Sequence, residues 1–226
     1  WTYVHVFSIA GTYNYQCDPH IPAMVGTIQV LPSVVVSASP ASSTGAPNGQ
    51  INVSVIGGTG PYDYTWFNIS TTANGSLAGS SNPSFSANVF SGSYVVLTID
   101  NGSGIPPFFS QDTVIVTAPG GSFSYNGLTG VCGSNTINIT ASLNGCSSGT
   151  QSIGTQYILS DNSGTTLLNT TLLADSVLLP SIGVGTYYLS ALNFDNGCTA
   201  IDTFNIGLGS LATNTSTTNV INATFG

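Results

Sequence analysis

The sequence predicts an all-β protein built from tandem β-sandwich modules, and three observations support this prediction. The strong helix formers Lys, Arg and Glu are absent, whereas the strand-favouring residues Val, Ile, Thr, Tyr and Phe are abundant. Hydrophobic residues make up 41% of the chain and aromatic residues 10%, which is enough for packed cores. Short runs of alternating polar and apolar residues are separated by clusters of Gly, Pro, Asn and Ser, a pattern typical of sandwiches.

The charge of the chain excludes several classes of partner. The formal net charge of −8 comes entirely from Asp, because the 226 residues contain no Lys, Arg or Glu. Cationic side chains are needed to neutralise phosphates, so neither a nucleic acid nor an anionic membrane surface is expected as a partner. No apolar run approaches the roughly 18 residues of a membrane span.

The first segment, residues 1–32, is predicted to consist of hairpin strands. The runs "TYVHVF" at 2–7, "AGTYNYQC" at 10–17 and "GTIQV" at 26–30 have the alternation of strands. Pro32 then ends the segment, because proline cannot donate to a β-ladder. The chain starts inside a strand-like run, so we interpret it as an excerpt from a longer polypeptide.

The second segment, residues 33–119, is predicted to be the first sandwich module. Its strand-like runs are "SVVVSAS", "GQINVSVIGG", "TGPYDYTWFN", "SGSYVVLTID" and "QDTVIVTAP". Period-two alternation places Tyr62, Tyr64 and Trp66 on one face, which we expect to point into the core.

Residues 120–209 repeat this pattern and are predicted to be a second module. The run "GTYYLSALN" follows "GSYVVLTID" at an offset of about 90 residues, which is typical of tandem repeats. Each module fits an immunoglobulin-like sandwich, with Trp66 at the place of the core aromatic residue of strand C. Residues 210–226 are rich in Thr and Asn and are predicted to be a linker or the first strand of a further module.

The stretch "GTYNYQCDPHIPAMVGTIQV" resembles the C-terminal hairpin of plastocyanin- and azurin-like cupredoxins. The resemblance implies that residues 1–32 are the C-terminal part of such a domain, and that Cys17, His20 and Met24 are copper ligands. Blue-copper sites need a second imidazole, which the family places well upstream of this loop, and His5 does not match that position. Copper is therefore expected in the intact parent domain, and no cofactor is expected for this fragment alone.

The runs "GGTGPYDYTW", "SGSYVVLTIDNG" and "GTYYLSALNFDNGCTA" resemble repeats of large gliding-motility adhesins and related secreted bacterial surface proteins. This resemblance implies a structural or adhesive segment of a long extracellular, cell-surface protein. The expected partners are neighbouring modules of the same chain, surface glycans, or identical copies in a fibre. The loops at 57–61 and 143–155 are where we expect contacts, since sandwich-end loops commonly carry them.

The same adhesin resemblance implies attached sugar. The tripeptides "DTV" at 112–114, "DSV" at 175–177 and "DTF" at 202–204 look like acceptors for O-linked sugars in that bacterial group, which predicts glycosylation at Thr113, Ser176 and Thr203. The alternative is that Asp-Thr merely opens a strand. Asn-x-Ser/Thr sequons such as that of Asn52 are expected by chance in so Asn-rich a chain.

Three of the four cysteines, Cys132, Cys146 and Cys198, lie in the second repeat. An extracellular compartment is oxidising, so a disulfide is expected. A strand at 135–142 would hold Cys132 and Cys146 about 26 Å apart, beyond the reach of a disulfide. In an immunoglobulin-like topology the B–C and F–G loops share one end, which favours Cys146–Cys198, with Cys132–Cys198 as the alternative.

The sequence does not predict an enzyme. A Ser–His–Asp arrangement could use only His5 or His20, which both lie in the N-terminal hairpin segment. There is no obvious pair of catalytic carboxylates, and "DNG" and "DNS" are typical turn tripeptides. Two other functions stay open. One is copper-dependent electron transfer with the sandwiches as spacers. The other is a carbohydrate-binding module, which requires exposed aromatic side chains, whereas Tyr64 and Trp66 are predicted to point inward.

Overall fold

The computed structural model describes residues 4–20, 24–102, 107–130, 137–146, 151–208 and 219–223. These residues are mainly β-strands, with one short 3-10 helix at Asp18–His20. None of them belongs to a helix long and apolar enough to cross a membrane. The strands are β1 Gly11–Gln16, β2 Val25–Val30, β3 Ser33–Ser39, β4 Gly49–Ile56, β5 Tyr62–Asn68, β6 Asn74–Ser80, β7 Ser84–Val89, β8 Gly92–Asp100, β9 Phe108–Val116, β10 Ala118–Pro119, β11 Ser122–Gly130, β12 Ile137–Asn144, β13 Thr155–Asp161, β14 Thr166–Leu172, β15 Ser176–Leu178, β16 Gly185–Asn193, β17 Cys198–Leu208 and β18 Asn219–Ala223.

The N-terminal hairpin consists of β1 and β2, which pair antiparallel from Gly11↔Val30 to Gln16↔Val25. The strand predicted at 2–7 is wrong for its described part, since residues 4–7 join no sheet. Val4 and Val6 are 79% and 82% exposed, so their alternation does not reflect burial in a core. Phe7 instead packs its ring against Tyr13 of β1, with the ring centroids 4.6 Å apart.

The first sandwich contains two antiparallel sheets, with strand orders β3-β4-β7 and β6-β5-β8-β9. Ile51 and Val53 of β4 and Tyr62 and Tyr64 of β5 are all buried. Tyr64 also stacks on Phe85 of β7 at a centroid distance of 5.1 Å, which joins the two sheets. The predicted inward direction of the β5 aromatic residues is therefore confirmed.

The strands β6 and β7 were not predicted from the sequence. The run "NGSLAGS" of β6 is composed mainly of small residues and lies at a sheet edge, so burial imposes little alternation on it. Gly75 of β6 lies directly opposite Trp66, and the absence of a side chain there leaves room for the indole ring.

The second sandwich repeats this strand order. One sheet is β11-β12-β15, and the other follows β10-β17-β16-β13-β14. A single apolar cluster fills the space between them, with Tyr157, Leu189 and Phe204 among its fully buried members. The three-plus-four strand arrangement in both halves confirms the prediction of tandem immunoglobulin-like sandwiches.

Two short strands add to the edge of the larger sheet of the second sandwich. Both β10 and β18 pair in parallel with β17, β10 at its beginning and β18 from Phe204 to Leu208. Residues 219–223, predicted to be a linker or the start of a further module, thus form a strand of this sheet.

The chain divides into two compact units. The first contains Trp1–Ser39, Gln50–Val89 and Tyr94–Val114, and the second contains Pro40–Gly49, Phe90–Ser93 and Ile115–Gly226. The hairpin therefore belongs to the first unit, together with most of the first sandwich.

Candidate functional site

The loop at 57–61, predicted to carry contacts, is tied down by a buried carboxylate. Asp100 ends β8 and is fully buried. Its Oδ1 accepts hydrogen bonds from the backbone N–H groups of Gly60 at 2.9 Å and Gly102 at 3.0 Å, and its Oδ2 accepts one from Thr59 at 3.1 Å. The backbone bonds from Thr59 and Gly60 to this one carboxyl group therefore hold the loop against the end of β8.

The second sandwich holds its own end loop in the same way. Asp195 is 3% exposed and accepts hydrogen bonds from the backbone N–H groups of Ser152, Ile153 and Gly154 at 3.1–3.2 Å. The Ser152 hydroxyl donates a further bond at 2.5 Å. This carboxylate therefore holds residues 152–154, which lie in the predicted contact loop at 143–155.

A disulfide holds the beginning of that loop at Cys146. Cys146 and Cys198 are bonded with a Cα–Cα distance of 5.4 Å, and both are buried. Asn196 donates to the Cys146 carbonyl at 2.9 Å, so the turn before β17 holds the same point. This is the pairing that the topology favoured. It excludes the alternative Cys132–Cys198, and Cys132 itself lies outside the described residues.

The carboxylates of this chain take part in its internal hydrogen bonds. Each of the eight Asp side chains accepts a hydrogen bond from a donor of the protein. At the predicted "DNS" turn, Asp161 accepts from the N–H groups of Ser163 at 2.9 Å and Thr165 at 3.0 Å. Hydrogen bonds from Ser163 and Thr165 hold the pKa of the Asp161 carboxyl below its usual value. The turn role predicted for this residue is confirmed.

The copper-type loop joins β1 to β2. The Cys17 N–H donates to the Met24 carbonyl at 2.9 Å, which closes the loop. Cys17 is half-buried, Met24 is 54% exposed, and the His20 side chain lies outside the described residues. His5 packs edge-on against Phe7 with centroids 4.6 Å apart. Among the described residues no group of three or more His, Cys, Asp or Glu is placed to hold a metal ion, so copper binding stays a prediction.

The three predicted sugar acceptors lie on three different strands. Thr113 is exposed on β9, and Ser176 is half-buried on β15 opposite Ser142. Thr203 is half-buried on β17, where it lies directly opposite Tyr188 of β16. The structure places these hydroxyls at separate sites, and their glycosylation stays a prediction.

The surface of the second sandwich includes a feature that the sequence analysis missed. Tyr188 points outward from β16 and is 44% exposed, whereas its neighbour Tyr187 is buried. The Tyr188 hydroxyl donates to Asn162 Oδ1 at 3.1 Å. The signal was present in "GTYYLSALN", where alternation requires one of two adjacent tyrosines to face solvent, but nothing in that run says which one.

No protein-family model matches this chain, and no curated protein matches it. Among solved structures the chain is similar to the BSP domain of a biofilm associated protein, with 16% identity, a TM-score of 0.27 and coverage of 76% of this chain. It is also similar to a two-domain fibronectin type-III segment of chicken tenascin, with 11% identity, a TM-score of 0.31 and coverage of 76% of this chain and 95% of that one.

A third similar structure is the tetra-tandem repeat in the extending region of a large adhesion protein, with 12% identity, a TM-score of 0.31 and coverage of 86% of this chain. The chain spans 29% of the biofilm associated protein and 56% of the adhesion repeat. TM-scores this low do not establish a common fold, so the sandwich assignment rests on the strand order described above.

Proposed function

We propose that this chain is a structural and adhesive segment of a long extracellular protein on a bacterial surface. One observation carries the proposal: two sandwiches of the same strand order follow each other in the chain. The buried carboxylates add support, because Asp100 and Asp195 accept backbone hydrogen bonds from end loops and so stabilise those loops.

The disulfide supports the extracellular location. Structural disulfides persist in oxidising compartments and are rare in the cytosol. Cys146 and Cys198 are both nearly inaccessible to solvent, as expected of a bond with a structural role.

An adhesion assay tests the proposal. Beads coated with the 226-residue chain are settled on cells or on polysaccharide films and exposed to increasing shear, with albumin-coated beads as the control. We expect the chain-coated beads to stay attached at shear that removes the controls. An antibody against the chain should label intact cells of its source. Equal detachment of both kinds of bead, or labelling only after permeabilisation, would refute the proposal.

A copper site in the parent domain is a second, separate proposal. Its support is the loop closure between Cys17 and Met24, which keeps these two residues at the neck of one short loop. Copper bound by a thiolate and imidazoles gives an intense visible absorption. A longer polypeptide that includes the upstream domain should become coloured with copper, and Cys17→Ser should abolish the colour. A colourless wild-type protein would rule this proposal out.

A further inference from the structure

The four-stranded sheet of the second sandwich has a broad outward face. Side chains alternate between the two faces of a strand, so the buried residues of β13, β16 and β17 identify their outward neighbours. The polar and aromatic outward residues of these strands include Gln156, Ser160, Thr186, Tyr188, Thr203 and Asn205. Ile201 lies on the same face and is 79% exposed.

Tyr188 is at the centre of this face. Ser160 of β13 lies opposite it on one side and Thr203 of β17 on the other. Directly opposed residues have Cβ atoms about 4.5–5.5 Å apart, so hydroxyl groups flank the phenol ring. The bond from the Tyr188 hydroxyl to Asn162 holds the ring in place. The result is an exposed aromatic ring of restricted motion, bordered by hydroxyl groups.

Paired polar side chains extend this arrangement along the face. The Thr186 hydroxyl donates to Asn205 Oδ1 at 2.6 Å, and Gln156 Nε2 donates to Asn169 Oδ1 at 3.0 Å. Each amide has more donors and acceptors than one such bond uses. The pairs therefore hold amide groups in fixed positions that can still bind the hydroxyl groups of a ligand.

The face is free of charge. The four strands contain only two ionisable carboxylates, those of Asp161 and Asp202. Asp161 turns back into its own hairpin loop, and Asp202 accepts a hydrogen bond at 2.8 Å from Tyr125, a residue that packs on buried Phe204. Since the chain has no Lys or Arg, an anionic ligand would find no cation here and would be repelled by the net charge of −8.

We propose that the outward face around Tyr188 binds a neutral polysaccharide, with the Tyr188 ring stacked on a sugar ring and the surrounding hydroxyl and amide groups bonded to its hydroxyls. This deepens the proposed adhesive function, on which it rests, by naming the class of surface recognised. A tyrosine offers a large contact area at low entropic cost. Ile201 adds apolar area for the C–H groups of the ligand, and no charge has to be desolvated on either side.

Native affinity electrophoresis tests the proposal, because the acidic chain migrates readily through a gel that contains dissolved polysaccharide. The probes are β-glucan, galactomannan and dextran as neutral polymers, and polygalacturonate as the acidic one. We expect a neutral polymer to retard the chain and polygalacturonate to leave it unretarded. Tyr188→Ala should weaken binding by about tenfold, equivalent to ~1.4 kcal/mol, whereas Tyr188→Phe should keep most of the retardation.

Tyr15→Ala is the matched control, since Tyr15 is 58% exposed but lies on the hairpin. Urea unfolding of each variant shows that the fold is kept. The proposal is overturned if no neutral polymer retards the chain, if polygalacturonate retards it equally, or if both alanine variants lose binding alike. Sugar attached to Thr203 in protein from its natural source would also overturn it, because that sugar would cover the Tyr188 ring.

The bead assay separates this inference from the adhesive function. If Tyr188→Ala beads adhere like wild-type beads, the adhesive function stands and the Tyr188 site is refuted. If wild-type beads fail to adhere although the gel shows binding that depends on Tyr188, the adhesive function fails while the polysaccharide site stands.

Discussion

Replacement of Asp195 by alanine gives the sharpest test of how the end loop of the second sandwich is held. The carboxylate accepts three backbone N–H bonds, from Ser152, Ile153 and Gly154. A buried N–H left without an acceptor costs at least about 1 kcal/mol. Gly154 is buried, Ile153 is half-buried and Ser152 is exposed, so Asp195→Ala should destabilise the sandwich by about 1–2 kcal/mol. With a urea slope of about 1–3 kcal/mol per molar, the unfolding midpoint should fall by about 0.3–2 M.

Two further variants and a local readout complete this test. Asp195→Asn keeps one oxygen acceptor and should lie between wild type and Asp195→Ala. Asp161→Ala removes a carboxylate from an exposed turn and should shift the midpoint least. Hydrogen exchange of the peptide containing Gly154 should accelerate in Asp195→Ala alone. If Asp195→Ala lowers the urea midpoint no further than Asp161→Ala does, the hydrogen bonds to Asp195 do not stabilise the loop.

Three further perturbations probe the packing. Gly75→Ala should cost about 1–3 kcal/mol through overpacking, because the new methyl would overlap the Trp66 indole, while Ser76→Ala on the same strand should be neutral; equal urea midpoints would contradict this. Replacing both disulfide cysteines by alanine should cost about 4 kcal/mol for the 52-residue separation, and an unchanged thermal unfolding temperature would contradict it. Burial and the nearby Asp175 raise the pKa of Tyr157 to about 12 from 10.0. The resulting stability, up to about 3 kcal/mol, is complete below pH 10 and lost as the pH rises through 12, because the unfolded chain ionises at the lower pH. Tyr157→Phe should therefore reduce the loss of stability between pH 10 and 12, and an unchanged pH profile would refute this.

The parts of the fold predicted correctly are those where burial acts on successive residues. Tyr62 and Tyr64 alternate with polar residues because one face of β5 packs on the opposite sheet. The run at 4–7 alternates equally well but joins no sheet. Local pattern alone cannot separate these cases, since the partner strand lies far away in the sequence. The same limit hid β6, whose edge position makes few demands on its residues.

The interactions that hold the loops illustrate a different limit. "DNG" correctly indicated turns, but apart from Gly102 the backbone donors to Asp100 and Asp195 come from loops 40–43 residues earlier in the chain. The disulfide could be favoured from sequence only after a topology was assumed. Tyr188 could not be distinguished from Tyr187, because the run around them is compatible with either residue facing outward.

Composition and alternation by themselves determined the all-β class, the repetition of one sandwich pattern and the absence of Lys and Arg side chains that could bind an anion. These properties follow from residue type and from spacing along a strand, which need no knowledge of distant neighbours. Only the tertiary structure decided which loops the carboxylates hold, which cysteines join and which tyrosine faces solvent. Each of those outcomes depends on the register between strands far apart in the chain, and register is set by how whole sheets pack.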